Sequence, residues 1–133
     1  MGDALTVAPR VKEVFTISDL ASEFSVTPRT IRFYEGEGLI KPARRGTQRL
    51  YSRGDRARLA WILRGRNVGF SLAEIHELLD LYRPGKAREP QLRAAIAKCR
   101  ERIAALEAQR ADIDMTIAEL SNFVGNIETQ LGD

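Results

Sequence analysis

Arginine dominates the chemistry that this chain can do. Between Pro28 and Arg66 there are eleven Arg and Lys residues against three acids, a local charge of +8. The 133-residue chain carries only +3 overall, so the remainder holds −5. Guanidinium groups at this density offer planar forks of donors that match phosphate oxygens and the O6/N7 edge of guanine. A basic block beside an acidic remainder is the footprint of a polyanion-binding surface; a solvated, salt-bridged face is the plainer reading. The reactive groups of catalysis are scarce by comparison. His76 and Cys99 are the single residues of their kinds, and they fall in different predicted helices. No Gly-rich phosphate loop and no catalytic carboxylate pair stands out. His76 reads as a surface or packing residue and Cys99 as a buried structural thiol. The expectation is a protein that is no enzyme, with no catalytic residues, no metal site and no cofactor.

The basic residues need elements to hold them, and the stretch from Thr16 to Tyr51 supplies these. Ile17, Leu20, Ala21 and Phe24 recur at i, i+3, i+4 and i+7, one face of a helix over about 17–24. Thr16 is a good N-cap, with Asp19 three residues on. After Ser25-Val26, Thr27 caps a second helix whose first position is Pro28, where a missing N–H costs nothing. Arg29 to Glu35 fill that helix, and Gly36 and Gly38 close it. Ala21, Ser25 and Ile31 occupy the small, turn and apolar positions of a helix-turn-helix. Ser25 meets the positive φ of the turn position less easily than Gly would. This arrangement presents the second helix to the major groove of DNA. Leu39 to Tyr51 reads as a basic β-hairpin, with Arg44-Arg45-Gly46 at its tip.

Downstream elements look like a device for pairing this unit with a second copy. Ser52 and Asp55 open a third helix, about Arg53 to Asn67, with Leu59, Ile62 and Leu63 on its core face. Trp61 reads as packing. Gly65 within that helix costs about 1 kcal/mol relative to Ala, and no sequence feature explains it. Ser71-Leu72-Ala73-Glu74 is a capping box for a fourth helix with core positions Leu72, Ile75, Leu78, Leu79 and Tyr82. Arg83-Pro84-Gly85 breaks the chain. Then Leu92, Ile96, Cys99, Ile103, Leu106, Arg110, Ile113, Ile117, Leu120, Val124, Ile127 and Leu131 alternate spacings of four and three, a heptad seam with one polar member. A long helix with one narrow apolar stripe needs a partner to cover the stripe. Gly125 and Asn126 are expected to end or bend it, leaving 125–133 as a tail.

Charge predicts the partner's direction. Arg93, Lys98, Arg100 and Arg102 crowd the first half of the seam; Glu107, Asp112, Asp114 and Glu119 crowd the second. An antiparallel copy lays basic over acidic, whereas a parallel copy sets like against like along most of its length. Each exposed pair contributes only a few tenths of a kcal/mol, roughly, so charge orients assembly rather than driving it. The prediction is an antiparallel homodimer through Leu92, Ile96, Cys99, Ile103, Leu106, Arg110, Ile113, Ile117 and Leu120. A helix folded back on its own domain is the alternative.

Val26-Thr27-Pro28-Arg29-Thr30-Ile31-Arg32-Phe33-Tyr34-Glu35, Glu37-Gly38-Leu39-Ile40, Pro42, Arg49, Tyr51 and Gly69-Phe70-Ser71-Leu72 together resemble the MerR family of bacterial transcription regulators. The resemblance spans roughly residues 15–82 and continues loosely into the long helix. Residues 1–14 mix Gly, Pro and charges without a clear period and read as a flexible lead that ends in a short strand near Val14 and Phe15. The resemblance implies a mainly α fold, with a winged helix-turn-helix over 15–83 and a dimerisation coiled-coil helix over 90–124. It implies DNA contacts by Thr27, Arg29, Thr30, Arg32, Phe33 and Tyr34 on the recognition helix. Arg44, Arg45, Arg49 and Tyr51 belong to a first wing, and Arg64 and Arg66 to a second. The family often has Gly-Tyr-Arg where this chain has Thr47-Gln48-Arg49, so an aromatic contact at Gln48 is not carried over. Metal-sensing members place cysteines around the end of the dimer helix, and this chain has none after Cys99. Partners implied are double-stranded promoter DNA, a second copy, RNA polymerase at the promoter and a small-molecule effector. The Arg-Thr-Ile-Arg-Phe-Tyr-Glu run, the Ala-Arg-Arg-Gly wing and Gln109 to Asp114 resemble a branch tied to branched-chain amino acid and acyl-CoA breakdown.

Composition sets outer bounds. Hydrophobic residues make up 44% and charged residues 29%, ordinary for a globular chain. No apolar run approaches the ~18 residues of a membrane span, and no secretory leader is apparent. A lone cysteine suits a reducing cytoplasm. Two rival classes use the same features: an architectural winged-helix protein that bends DNA without an effector, and a coiled-coil interaction protein whose basic block is incidental.

Overall fold

The structure, a computed structural model, describes residues 13–81 and 87–132. The chain divides into two units, Met1–Leu81 and Tyr82–Asp133. The first contains β1 (Val14–Phe15), α1 (Ile17–Phe24), α2 (Pro28–Gly36), β2 (Ala43–Arg45), β3 (Gln48–Ser52), α3 (Arg53–Asn67) and α4 (Leu72–Asp80). The second is α5 (Glu89–Gly132), a single helix of 44 residues.

The helices begin where their caps stand. Thr16 Oγ1 accepts from the Asp19 N–H at 3.0 Å, and the Thr16 N–H donates to Asp19 Oδ2 at 2.9 Å. Ser52 with Asp55 and Ser71 with Glu74 repeat this reciprocal box at α3 and α4. Each such cap contributes about 1 kcal/mol by satisfying N–H groups that the helix leaves unpaired. Ser25 adopts φ +55° after α1, the left-handed conformation the turn demands. Its side chain is exposed, so serine fills the position without a packing conflict.

The three strands form an antiparallel sheet in the order β1-β3-β2. Ala43 lies opposite Leu50, Arg44 opposite Arg49, and Arg45 opposite Gln48. The turn is therefore Gly46-Thr47, not Arg44-Arg45-Gly46, and Gly46 takes φ +63° at the first central position of the two-residue loop. The hairpin is also shorter than its sequence pattern suggests. Leu39 and Ile40 are fully buried and belong to the core, because they follow α2 directly and the Leu39 N–H closes back on the Tyr34 carbonyl at 3.0 Å.

Leu20, Ile31, Leu39, Ile40, Tyr51, Leu59, Ile62 and Ile75 fill the centre of this unit, joined by Tyr34, Phe70, Leu78 and Leu79. Gly65 now has a reason. A Cβ on it would stand 3.2 Å and 3.3 Å from Ile75 Cγ1 and Cδ1 and 3.3 Å from Phe70 Cδ2. The missing side chain is what lets α4 and the Val68-Gly69-Phe70 loop close on α3. Across another side, the Arg56 guanidinium sits 5.8 Å from the Phe15 ring and 5.9 Å from the Phe24 ring and forms a two-pronged ion pair with Glu23. It ties β1, α1 and α3 together and holds the Glu23 carboxyl below its ordinary pKa. Tyr82 and the Arg83-Pro84-Gly85 break lie outside the described residues.

In α5 the helix does not stop at Gly125. It runs through Gly125 and Asn126 to Gly132, which corrects the expected tail over 125–133. One interior Gly costs about 1 kcal/mol, less than the continuing hydrogen-bond ladder and apolar spacing supply. The apolar seam members are all exposed: Leu92, Ile96, Ile103, Leu106, Ile113, Ile117, Leu120, Val124, Ile127 and Leu131 each keep at least 41% of their accessible surface. Cys99 is exposed as well, so in a single chain it is not the buried thiol the seam pattern predicts.

Candidate nucleic-acid interface

α2 divides its residues cleanly. Ile31 and Tyr34 point into the core, whereas Arg29, Arg32 and Phe33 stand outside. Thr27 and Thr30 form the leading edge, with the Thr30 N–H donating to Thr27 Oγ1 at 3.1 Å and the two hydroxyls 3.0 Å apart. Phe33 is 52% exposed while its ring meets Tyr34 edge-on at 5.4 Å, so it packs and faces solvent at once. The side chains of Arg29 and Arg32 have no ion-pair or hydrogen-bond partner among the described residues. The same is true of Arg45 on β2 and Arg64 in the last turn of α3.

The remaining predicted residues are not all available. Tyr51 is wholly buried and its hydroxyl has no hydrogen-bond partner among the described residues. It is a core residue, because the alternation along β3 that turns Gln48 and Ser52 outward turns Tyr51 inward. Burial, and then the nearby Glu35 carboxylate, raise its phenol pKa. Arg66 donates from Nη1 to the Phe70 carbonyl at 2.9 Å and so pins the loop after α3. Arg64 and Arg66 lie on the helix rather than in a free loop, where they also complement its C-terminal partial charge. His76 sets Nε2 2.9 Å from the Glu37 carbonyl oxygen, a packing role that ties α4 to the end of α2.

Arg44 and Arg49 converge on a residue the sequence reading passed over. Glu35, near the end of α2, accepts from Arg49 Nε at 2.6 Å on Oε1 and from Arg44 Nη2 at 3.1 Å on Oε2. Its carboxylate raises the Arg49 pKa further. The signal lies in the hairpin register of the structure, which the tip expected at Arg44-Arg45-Gly46 does not give. Two like charges directly across a strand pair repel, and Arg44 opposite Arg49 calls for an anion between them. Arg58 was missed likewise; its Nε donates to the Leu39 carbonyl at 2.8 Å, holding the segment that leads from α2 to the wing.

The assembled unit is thus a helix-turn-helix with an arginine-bearing hairpin beside the second helix. A family profile described as "MerR HTH family regulatory protein" matches residues 15–81, and a second, "MerR, DNA binding", matches 56–123. The chain belongs to the MerR family of transcription regulators. It is 34% identical over 106 residues to the HTH-type transcriptional regulator ZntR homolog of Haemophilus influenzae, covering 78% of each chain. A MerR-family regulator of known structure from Bacillus cereus superposes with a TM-score of 0.60 at 27% identity, over 82% of this chain and 78% of that one. A transcription regulator from Ralstonia metallidurans solved in complex with lead(II) gives a TM-score of 0.51 at 34% identity, over 74% and 82%. These relatives are transcription regulators, and the chain is a DNA-binding regulator rather than an enzyme. None of its described helices is long and apolar enough to cross a membrane.

Proposed function

We propose that this MerR-family regulator acts in the cytoplasm as an antiparallel homodimer that binds a two-fold promoter site through α2 and the two wings. The observation that carries the DNA contacts is the set of exposed arginines without a protein partner among the described residues: Arg29 and Arg32 on α2, Arg45 on the hairpin, Arg64 on α3. Unpaired guanidinium groups on one basic unit are poised for phosphates and guanine edges. Thr27, Thr30 and Phe33 border them, and Phe33 supplies an apolar face for a thymine methyl. The dimer rests on the exposed seam of α5. By the family resemblance, the dimer occupies an overlong promoter spacer, contacts RNA polymerase there, and bends and untwists the DNA in one of its two states. Such distortion costs several kcal/mol, roughly, so a ligand that prefers one state controls output.

The effector we propose is a small acyl-CoA or related metabolite, as the resemblance to the branched-chain catabolic branch implies. Among the described residues no cluster of three or more His, Cys, Asp and Glu side chains is placed to hold a metal ion. The test is a nuclease footprint on DNA upstream of the chain's own gene across a salt series, repeated with an acyl-CoA panel. A compact two-fold footprint with a steep salt slope is expected. Diffuse protection with no preferred site would indicate an architectural protein, and an unresponsive panel would remove the proposed effector. Arg32→Ala should weaken specific binding by about 1–3 kcal/mol; unchanged affinity at moderate salt removes Arg32 from the interface.

A further inference from the structure

A carboxylate in the middle of a DNA-facing surface opposes binding, because it repels phosphates and neutralises the cations around it. Glu35 is such a group. It lies on α2, three residues after Arg32, and it occupies both of its oxygens with the wing arginines Arg44 and Arg49. Arg44 and Arg49 are cross-strand neighbours, so one carboxylate reaches from the recognition helix to both strands of the hairpin. The Arg49 contact uses Nε, which leaves both terminal nitrogens of that guanidinium free to donate to a second acceptor. The Arg44 contact uses one Nη and leaves the other.

We propose that Glu35 is a positioning residue for DNA recognition: it fixes the wing arginines at a set distance from the base-reading face of α2. This rests on the reading of α2 and the wing as the DNA-binding surface. Phosphate contacts set the register of a protein on the duplex, and base contacts read sequence within that register. Glu35 connects the two. Arg44 and Arg49, held by one carboxylate, meet phosphates only at positions compatible with α2 in the major groove. Released, they would bind phosphates wherever they found them. Glu35 therefore lowers affinity for arbitrary DNA and sharpens the preference for the right site.

The experiment uses the full-length chain and two duplexes: a preferred one recovered by repeated selection from random sequence with the wild-type protein, and a scrambled one of the same composition. For Glu35→Ala, affinity for the scrambled duplex should rise. The slope of log affinity against log salt should steepen by about one to two as freed arginines take up phosphates. The preferred-to-scrambled ratio should fall about tenfold or more, as lost register removes base contacts. Arg49→Lys keeps the charge but not the Nε–H, and it should lower the ratio without raising the salt slope. Glu35→Gln keeps an acceptor for Arg49 and should lie between wild type and Glu35→Ala. A role in stability alone would weaken binding to both duplexes in parallel and leave the ratio intact. A ratio within about twofold of wild type in both Glu35→Ala and Arg49→Lys overturns the inference while leaving the DNA-binding reading in place. A wild-type protein that selects no preferred duplex overturns both.

Discussion

Leu59 and Ile113 are both apolar residues on helices whose apolar positions recur regularly, yet Leu59 is fully buried and Ile113 keeps 53% of its surface. The difference runs through the whole chain. In the first unit, turns and caps bring α1, α2, α3, α4 and a three-stranded sheet around one set of side chains, and the apolar surface closes on itself. In α5 nothing turns the chain back, and an apolar stripe from Leu92 to Leu131 lies open. Spacing alone separates the two only when it is read with the punctuation between elements. Short helices ended by Ser25 and Gly38 fold onto one another; a helix of 44 residues without a break can only be completed by another surface.

The sharpest way to break this contrast is to place charge on the open stripe. Ile103→Glu with Ile113→Glu should leave the first unit folded and abolish the dimer at working concentrations. Burying an isoleucine contributes about 1.5–3 kcal/mol, and two-fold symmetry doubles each loss. Each substitution alone should thus weaken the dimer by about 3–6 kcal/mol, roughly a hundredfold to ten-thousandfold in Kd. Sedimentation equilibrium reads the dimer and circular dichroism the fold. A double variant that sediments as wild type would show that the stripe is not the interface.

Two helix-interior glycines sharpen the comparison at a smaller scale. A Cβ on Gly65 would press on Ile75 and Phe70, both buried, whereas a Cβ on Gly125 would meet nothing within 4 Å. Gly65→Ala gains about 1 kcal/mol of helix propensity but loses more to overpacking, at about 1–3 kcal/mol. Net destabilisation of about 1 kcal/mol is expected. Gly125→Ala should stabilise α5 by up to about 1 kcal/mol. Chemical denaturation of both variants checks the pair of signs, and a stabilising Gly65→Ala would mean the α3–α4 junction has room to spare.

What the sequence made legible follows the same division. Caps, turns and periods are local, and Thr16, Thr27, Ser52 and Ser71 all start helices where their spacing to the next acid or Thr says they should. The MerR-type motifs are local as well, so the family was readable from Val26 to Glu35. What stayed hidden depends on residues far apart in the chain. The clamp of Arg44 and Arg49 by Glu35 spans nine and fourteen positions, and the pairing of Arg56 with Glu23 spans thirty-three. Gly65 could not be explained until α4 came to rest against it. Gly125 suggests a stop, yet α5 runs on to Gly132, because a single glycine is a weak stop when apolar spacing continues on both sides.

Tyr51 tests the boundary between core and binding surface with the smallest expected effect. Motif resemblance put it on the wing facing DNA, while β3 turns it fully inward. If the core placement is right, Tyr51→Phe should leave DNA affinity unchanged. It should also leave stability unchanged or raise it by up to about 1 kcal/mol, because the hydroxyl removed is buried without a partner among the described residues. The pH dependence gives an independent sign. Burial raises the folded phenol above its ordinary value, and an unfolded tyrosine titrates near about 10. The contribution is therefore fully present below that pH and is lost as pH rises through the folded value, since the unfolded chain gives up the proton first. Wild type should lose stability above about pH 10 more steeply than Tyr51→Phe, other titrating groups being common to both. A variant that folds as wild type, shows the same alkaline slope and binds DNA more weakly would return Tyr51 to the interface.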